Sequence, residues 1–221
     1  IWAENYEKEM TAGSIFRIQK EIATAVAKSL EATLTVQDEQ QLSSVPTENL
    51  AALEAYFLGR QAMEKRTAAS LDEAENLLTR ATELDPGFAI AYVDLANTYG
   101  FQAFYSNRPP KQAWQLAEPL LDRALTIDER LGQAYIAKAR FLEVTPSQVP
   151  FIEEAAAIEN LYRKGLDLAP NYASGYRWYS FLLTRLESHA EAIVQLEKAL
   201  RLYPFSGVTK VNLSSSLEQQ G

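Results

Sequence analysis

No cysteine occurs in these 221 residues, and histidine occurs once, at His189. The first absence excludes disulfides, thiolate nucleophiles and cysteine-held metals. The second excludes a histidine cluster, so no metal and no cofactor are expected. Positive charge is also short: 21 Lys and Arg stand against 29 Asp and Glu, a net charge of −8. A nucleic-acid groove needs clustered basic residues, so nucleic acid is not an expected partner. No apolar run approaches a membrane span, and no signal-peptide pattern opens the chain, so no membrane contact is expected of this fragment. Gly-x-Ser-x-Gly, Gly-x-Gly-x-x-Gly and the phosphate loop are all missing. No residue is therefore assigned a catalytic role, and the chain reads as a non-enzyme. Ile1 stands where an initiator Met would, so the chain reads as a piece of something longer.

What is present is repetition. Apolar residues make up 47% of the chain, enough for a sizeable core. Four helix ends, at Leu84, Ile127, Leu168 and Leu202, are spaced by 43, 41 and 34 residues. After each comes a stop and a new amphipathic start. Tyr92, Leu95, Ala96 and Tyr99 open one unit, and Tyr176, Tyr179, Ser180 and Leu183 open another. Ala55, Leu58, Gly59 and Ala62 fill the same places earlier, and Tyr135, Lys138, Ala139 and Leu142 fill them less well. The small residues Gly59, Ala96, Ala139 and Ser180 predict close helix–helix approach, and the large apolar ones predict a buried stripe. Pro86, Pro170 and Pro204 end units because proline cannot continue a helix. Glu129 replaces proline in the second unit, which predicts a softer joint there. The segments 104–110 and 144–150 are turn-rich and read as loops between paired helices.

A 34-residue unit with these small and large positions resembles the tetratricopeptide repeat (TPR). The resemblance implies an all-α, right-handed TPR superhelix, an α-α solenoid, over residues 50–221. Its units fall at 52–88, 89–131, 132–172 and 173–206, with a half repeat at 207–221. Ahead of it, Ile15, Ile18, Ile22, Val26 and Leu30 share one face of a leading amphipathic helix, with Ser14 as its expected N-cap. Residues 36–49 are polar and read as a linker, and residues 1–10 alternate weakly like a strand. Trp2, Glu4, Tyr6, Ile15, Phe16, Gln19, Glu21, Ile22 and Ala23 resemble the end of the TolB-like domain of bacterial multidomain regulators. Residues 1–35 are assigned to that domain on this likeness. Such regulators often carry a class III adenylate or guanylate cyclase upstream, or else a winged-helix DNA-binding domain. The resemblance therefore implies a non-catalytic regulatory module, cytoplasmic or on the periplasmic side of a membrane-anchored regulator.

In TPR arrays the first helix of each unit lines a concave groove. Carried over, the partner-binding positions are Tyr56 and Arg60, then Val93, Asn97 and Phe101, then Ile136 and Arg140, then Arg177, Phe181 and Arg185. Four arginines on one face of a −8 chain predict an acidic peptide or protein partner. A small-molecule sensor is the rival expectation. The uncovered stripe of Val208, Val211, Leu213 and Leu217 also raises a homodimer through the terminal helices.

Overall fold

The computed structural model describes residues 11–29, 45–145 and 150–220. The strand expected at 1–10 and most of the 36–49 linker lie outside them. Ten helices are described: α1 (Ala12–Ser29), α2 (Leu50–Lys65), α3 (Ala68–Leu84), α4 (Ala89–Tyr105) and α5 (Pro110–Ile127), followed by α6 (Gly132–Val144), α7 (Phe151–Leu168), α8 (Ala173–Arg185), α9 (His189–Leu202) and α10 (Gly207–Gln220). From α2 to α9 they pair as four antiparallel hairpins, and α10 packs on α9 as an unpaired first helix. The first helices of successive hairpins also pack side by side, α2 on α4, α4 on α6 and α6 on α8. They make the inner side of the array.

The small residues act where the helices cross. A Cβ on Gly59 would lie 2.7 Å from Leu78 Cγ on the partner helix. Ala96, Ala139 and Ser180 are buried at the same place in later units. Two cores result, and α6 belongs to both. Its Ala134, Ala137 and Phe141 join the core of the first two hairpins, while Ile136 and Ala139 join the core of the last two. The stripe is incomplete at the array's head, where Leu58 is 46% exposed.

The feature common to the four joints is a backbone bond; three of them also carry a proline and two an aspartate. At each one, the N–H three residues on donates to the carbonyl that ends the helix: Phe88 to Asp85, Leu131 to Asp128, Tyr172 to Ala169 and Ser206 to Tyr203. Asp85 Oδ1 also accepts from Gly87 N–H at 2.9 Å, and Asp128 Oδ1 accepts from Arg130 N–H at 2.9 Å. The joint at Glu129 thus carries the same bonds as the proline-bearing joint at Pro86. The backbone before the two positions matches as well, at φ −139, ψ 94 for Asp85 and φ −140, ψ 99 for Asp128. That extended geometry is what a following proline requires. Glu129→Pro is therefore expected to stabilise the chain by about 0.5–1 kcal/mol by restricting the unfolded state. Chemical denaturation measures it, and a loss of stability would show that the two joints are not equivalent.

Three local expectations change. Thr11, not Ser14, caps α1: Ser14 N–H donates to Thr11 Oγ1 at 3.1 Å, and Thr11 N–H donates to Ser14 Oγ at 3.0 Å. Ile22 on this helix stays 57% exposed, so its apolar face is only partly covered. Residues 45–49 are docked rather than free. Thr47 Oγ1 donates to Asp85 Oδ2 at 2.5 Å, and Asn49 caps α2 while its Nδ2 donates to the Leu84 carbonyl. Phe104 and Tyr105 belong to the last turn of α4, not to a loop. The extra length of the second unit goes largely into helix.

Candidate functional site

Among the described residues, two cavities along the inner side bear on the expected groove. The first, about 720 Å³, lies among α1, α2, α4 and the joints before α6 and α8. Tyr56 and Arg60 border it. Tyr56 is buried, with its ring 4.8 Å from Phe88. Arg60 Nε sits 3.4 Å from Asp94 Oδ2, and its guanidinium lies 5.7 Å from the Tyr56 ring. Burial raises the Asp94 carboxyl above its ordinary range, and Arg60 pulls it back. Burial likewise pushes the Tyr56 hydroxyl far up, with Asp94 adding to it. Arg60 is half exposed, so this pair contributes little net stability. Its effect is to tie α2 to α4 and to use up Arg60's charge.

The second cavity, about 250 Å³, lies near the C-terminal ends of α4 and α6 and is closed by α8 and Val208 of α10. Asn97, Phe101, Arg140, Arg177 and Phe181 all border it, so five of the expected groove residues meet in one place. Arg140 lies 5.2 Å from the Phe181 ring and 5.5 Å from Phe104. Arg177 lies 6.0 Å from the same Phe181 ring and 5.8 Å from Trp178. Stacking on ring faces leaves guanidinium N–H edges available to a ligand. Burial lowers the Arg177 pKa to about 10, and the nearby Arg66 and Arg140 charges add to the shift.

Three expected residues are elsewhere. Val93 and Ile136 are fully buried, one in each core, and cannot line a groove. On α4, Asp94 takes the place expected of Val93, while Ile90, Asn97, Phe101 and Phe104 also border the cavities. Arg185 lies 3.6 Å from the Phe151 ring and donates to the Glu143 carbonyl at 2.6 Å, so it braces α8 against α6 and α7.

Sequence reasoning missed Arg66, Phe104 and Glu143's true role. Arg66 ends α2 in a left-handed conformation, φ 52, and stacks 4.7 Å from the Phe101 ring. Glu143 is buried beneath the cavity. It accepts from Tyr162 Oη at 2.8 Å and from Arg140 Nη1 at 3.1 Å. Helical spacing from Asn97 and Phe101 to Phe104 was the available signal for that ring. Glu75 accepts from Gln102 at 2.8 Å and Arg108 at 3.0 Å, holding the α4–α5 link to α3. Among the described residues no His, Asp or Glu cluster could hold a metal, and no helix is long and apolar enough to cross a membrane.

The architecture has solved counterparts. TTC0263, a thermophilic TPR protein of Thermus thermophilus, aligns over 93% of this chain and 98% of its own, with TM-score 0.60 and 15% identity. The fold is a TPR solenoid. A second counterpart, pilF of Pseudomonas aeruginosa, aligns over 77% of this chain and 69% of its own, with TM-score 0.53 and 19% identity. At these identities the likeness speaks for the TPR fold alone. No protein-family model matches this TPR chain. In sequence, a Rhizobium meliloti (strain 1021) protein named "Putative adenylate cyclase 3" is 31% identical over 96 residues. That stretch is 43% of this chain and 16% of the relative's length.

Proposed function

We propose that the chain is a non-catalytic interaction module of a bacterial signalling protein, holding an acidic peptide segment of a partner along its inner face. The observation that carries this is the cluster of stacked guanidiniums on an aromatic floor, in a chain whose net charge is −8. Positive charge concentrated on one concave side favours a carboxylate-rich partner and disfavours basic ones. Aromatic rings beside the arginines add apolar contact at low entropic cost. The signalling role is supported by the TolB-like residues between Trp2 and Ala23 and by the 31% identity to the R. meliloti protein.

An acidic peptide library displayed against the immobilised chain tests the reading. Peptides selected by the wild type are expected to bind Arg177→Glu at least about tenfold more weakly, because an attractive charge becomes repulsive. They are also expected to weaken as salt rises. Equal binding by wild type and variant would remove the inner face as the docking site.

A further inference from the structure

The second cavity carries more positive charge than an acidic peptide alone explains. Three guanidiniums border it, from Arg66, Arg140 and Arg177, and among the described residues no Asp or Glu lines it. Glu143 compensates Arg140 from behind, at 3.1 Å. Among the described residues neither Arg66 nor Arg177 has a carboxylate within 4.0 Å. Two positive charges therefore face the cavity unmatched. Each is fixed by a ring, Arg66 on Phe101 and Arg177 between Trp178 and Phe181. The space, about 250 Å³, suits one ring with one anionic group, and lies below the range of drug-sized pockets.

We propose that this pocket is a binding site for a phosphate monoester carried on a planar ring, an aryl or nucleoside monophosphate. A phosphate monoester brings close to two negative charges and three acceptor oxygens, which matches two unpaired guanidinium forks. A single carboxylate leaves one arginine unmatched. Phe104, 60% exposed at the rim, offers a flat apolar face for the ligand's ring. The site goes beyond the peptide reading and stands without it, since it needs only the ends of α2, α4, α6 and α8.

Titration calorimetry of the chain with phenyl phosphate tests it. Phenyl phosphate is expected to bind, with inorganic phosphate and benzoate each about tenfold weaker, one lacking the ring and the other the second charge. Arg66→Gln and Arg177→Gln are each expected to weaken phenyl phosphate about tenfold while the circular dichroism melt stays cooperative. Adenosine monophosphate and a phosphotyrosyl peptide form the last two arms. Binding by either supports the site and identifies the source of the phosphate; binding by neither overturns it. No heat with millimolar phenyl phosphate, parity with inorganic phosphate, or indifference to both substitutions would each overturn it too. Acidic-peptide binding without phenyl phosphate binding sinks this site alone. The converse sinks only the peptide reading.

Discussion

Gly132→Ala is expected to cost about 3 kcal/mol and to lower the melting temperature by about 5–10 °C. Gly132 opens α6, and Gly165 lies near the end of α7 directly against it. A Cβ on Gly132 would run into the Gly165 carbonyl oxygen and lie 2.8 Å from the backbone nitrogen of Ala169. The obstacle is backbone, which cannot rotate away as a side-chain tip can. Gly165→Ala is the companion variant, with a Cβ 2.5 Å from Ile136 Cγ1 and 2.8 Å from the Gly132 carbonyl oxygen. Either change forces α6 and α7 apart. The damage extends beyond one hairpin because α6 contributes to both cores. In a solenoid, stability is roughly a sum of unit terms and neighbour interfaces, so loosening the central unit uncouples its two sides. Denaturant melts of Gly132→Ala are expected to broaden or split into two phases. A melt as sharp and as high as that of the wild type would show that the two backbones do not meet as closely as described. Gly13→Ala is the control, because a Cβ there meets nothing within 4 Å.

The scaffold was legible in the sequence because it rests on local rules. Gly59, Ala96, Ala139 and Ser180 recur at one helical position, and their purpose is the same close approach each time. The joint at Glu129 was misread because proline is the visible stop signal, whereas the part common to all four joints is the backbone bond across the turn. The site was only half legible. The TPR groove positions carried over placed Asn97, Phe101, Arg140, Arg177 and Phe181 on one side, and they border one cavity. Helical spacing could not separate Val93 from Asp94, since a one-residue shift moves a side chain about 100° round a helix. Here the apolar Val93 goes to the core and the carboxylate turns to Arg60. Nor could spacing say which arginines already have partners. Arg60, Arg140 and Arg185 are engaged within the chain, and Arg66 joins the site only because α2 ends in a left-handed residue beside α4.

Glu143→Ala is expected to destabilise the chain by about 3 kcal/mol, while Glu143→Gln costs about half as much. The Glu143 side chain is 2% exposed, and Tyr162 is fully buried, so the hydrogen bond between them has no water to replace it. Burial raises the Tyr162 hydroxyl well above its ordinary pKa, and the Glu143 charge adds to that, so the phenol remains a proton donor throughout the working range. Truncation to alanine leaves that donor unsatisfied and leaves Arg140, 20% exposed, without its counter-charge. Glutamine keeps an acceptor for Tyr162 and loses only the charge. Combining Glu143→Gln with Tyr162→Phe isolates the pairwise energy, and strict additivity would show that the two groups do not act as a unit. The charge change has a second consequence, which moves the other way. With Glu143 neutral, Arg140 becomes the third unmatched guanidinium at the 250 Å³ cavity. Glu143→Gln should therefore melt earlier yet bind phenyl phosphate several-fold more tightly than wild type. Stability and anion affinity moving in opposite directions on one substitution is what a counter-ion placed beneath a binding site produces. A purely structural carboxylate would lower both, or leave affinity unchanged.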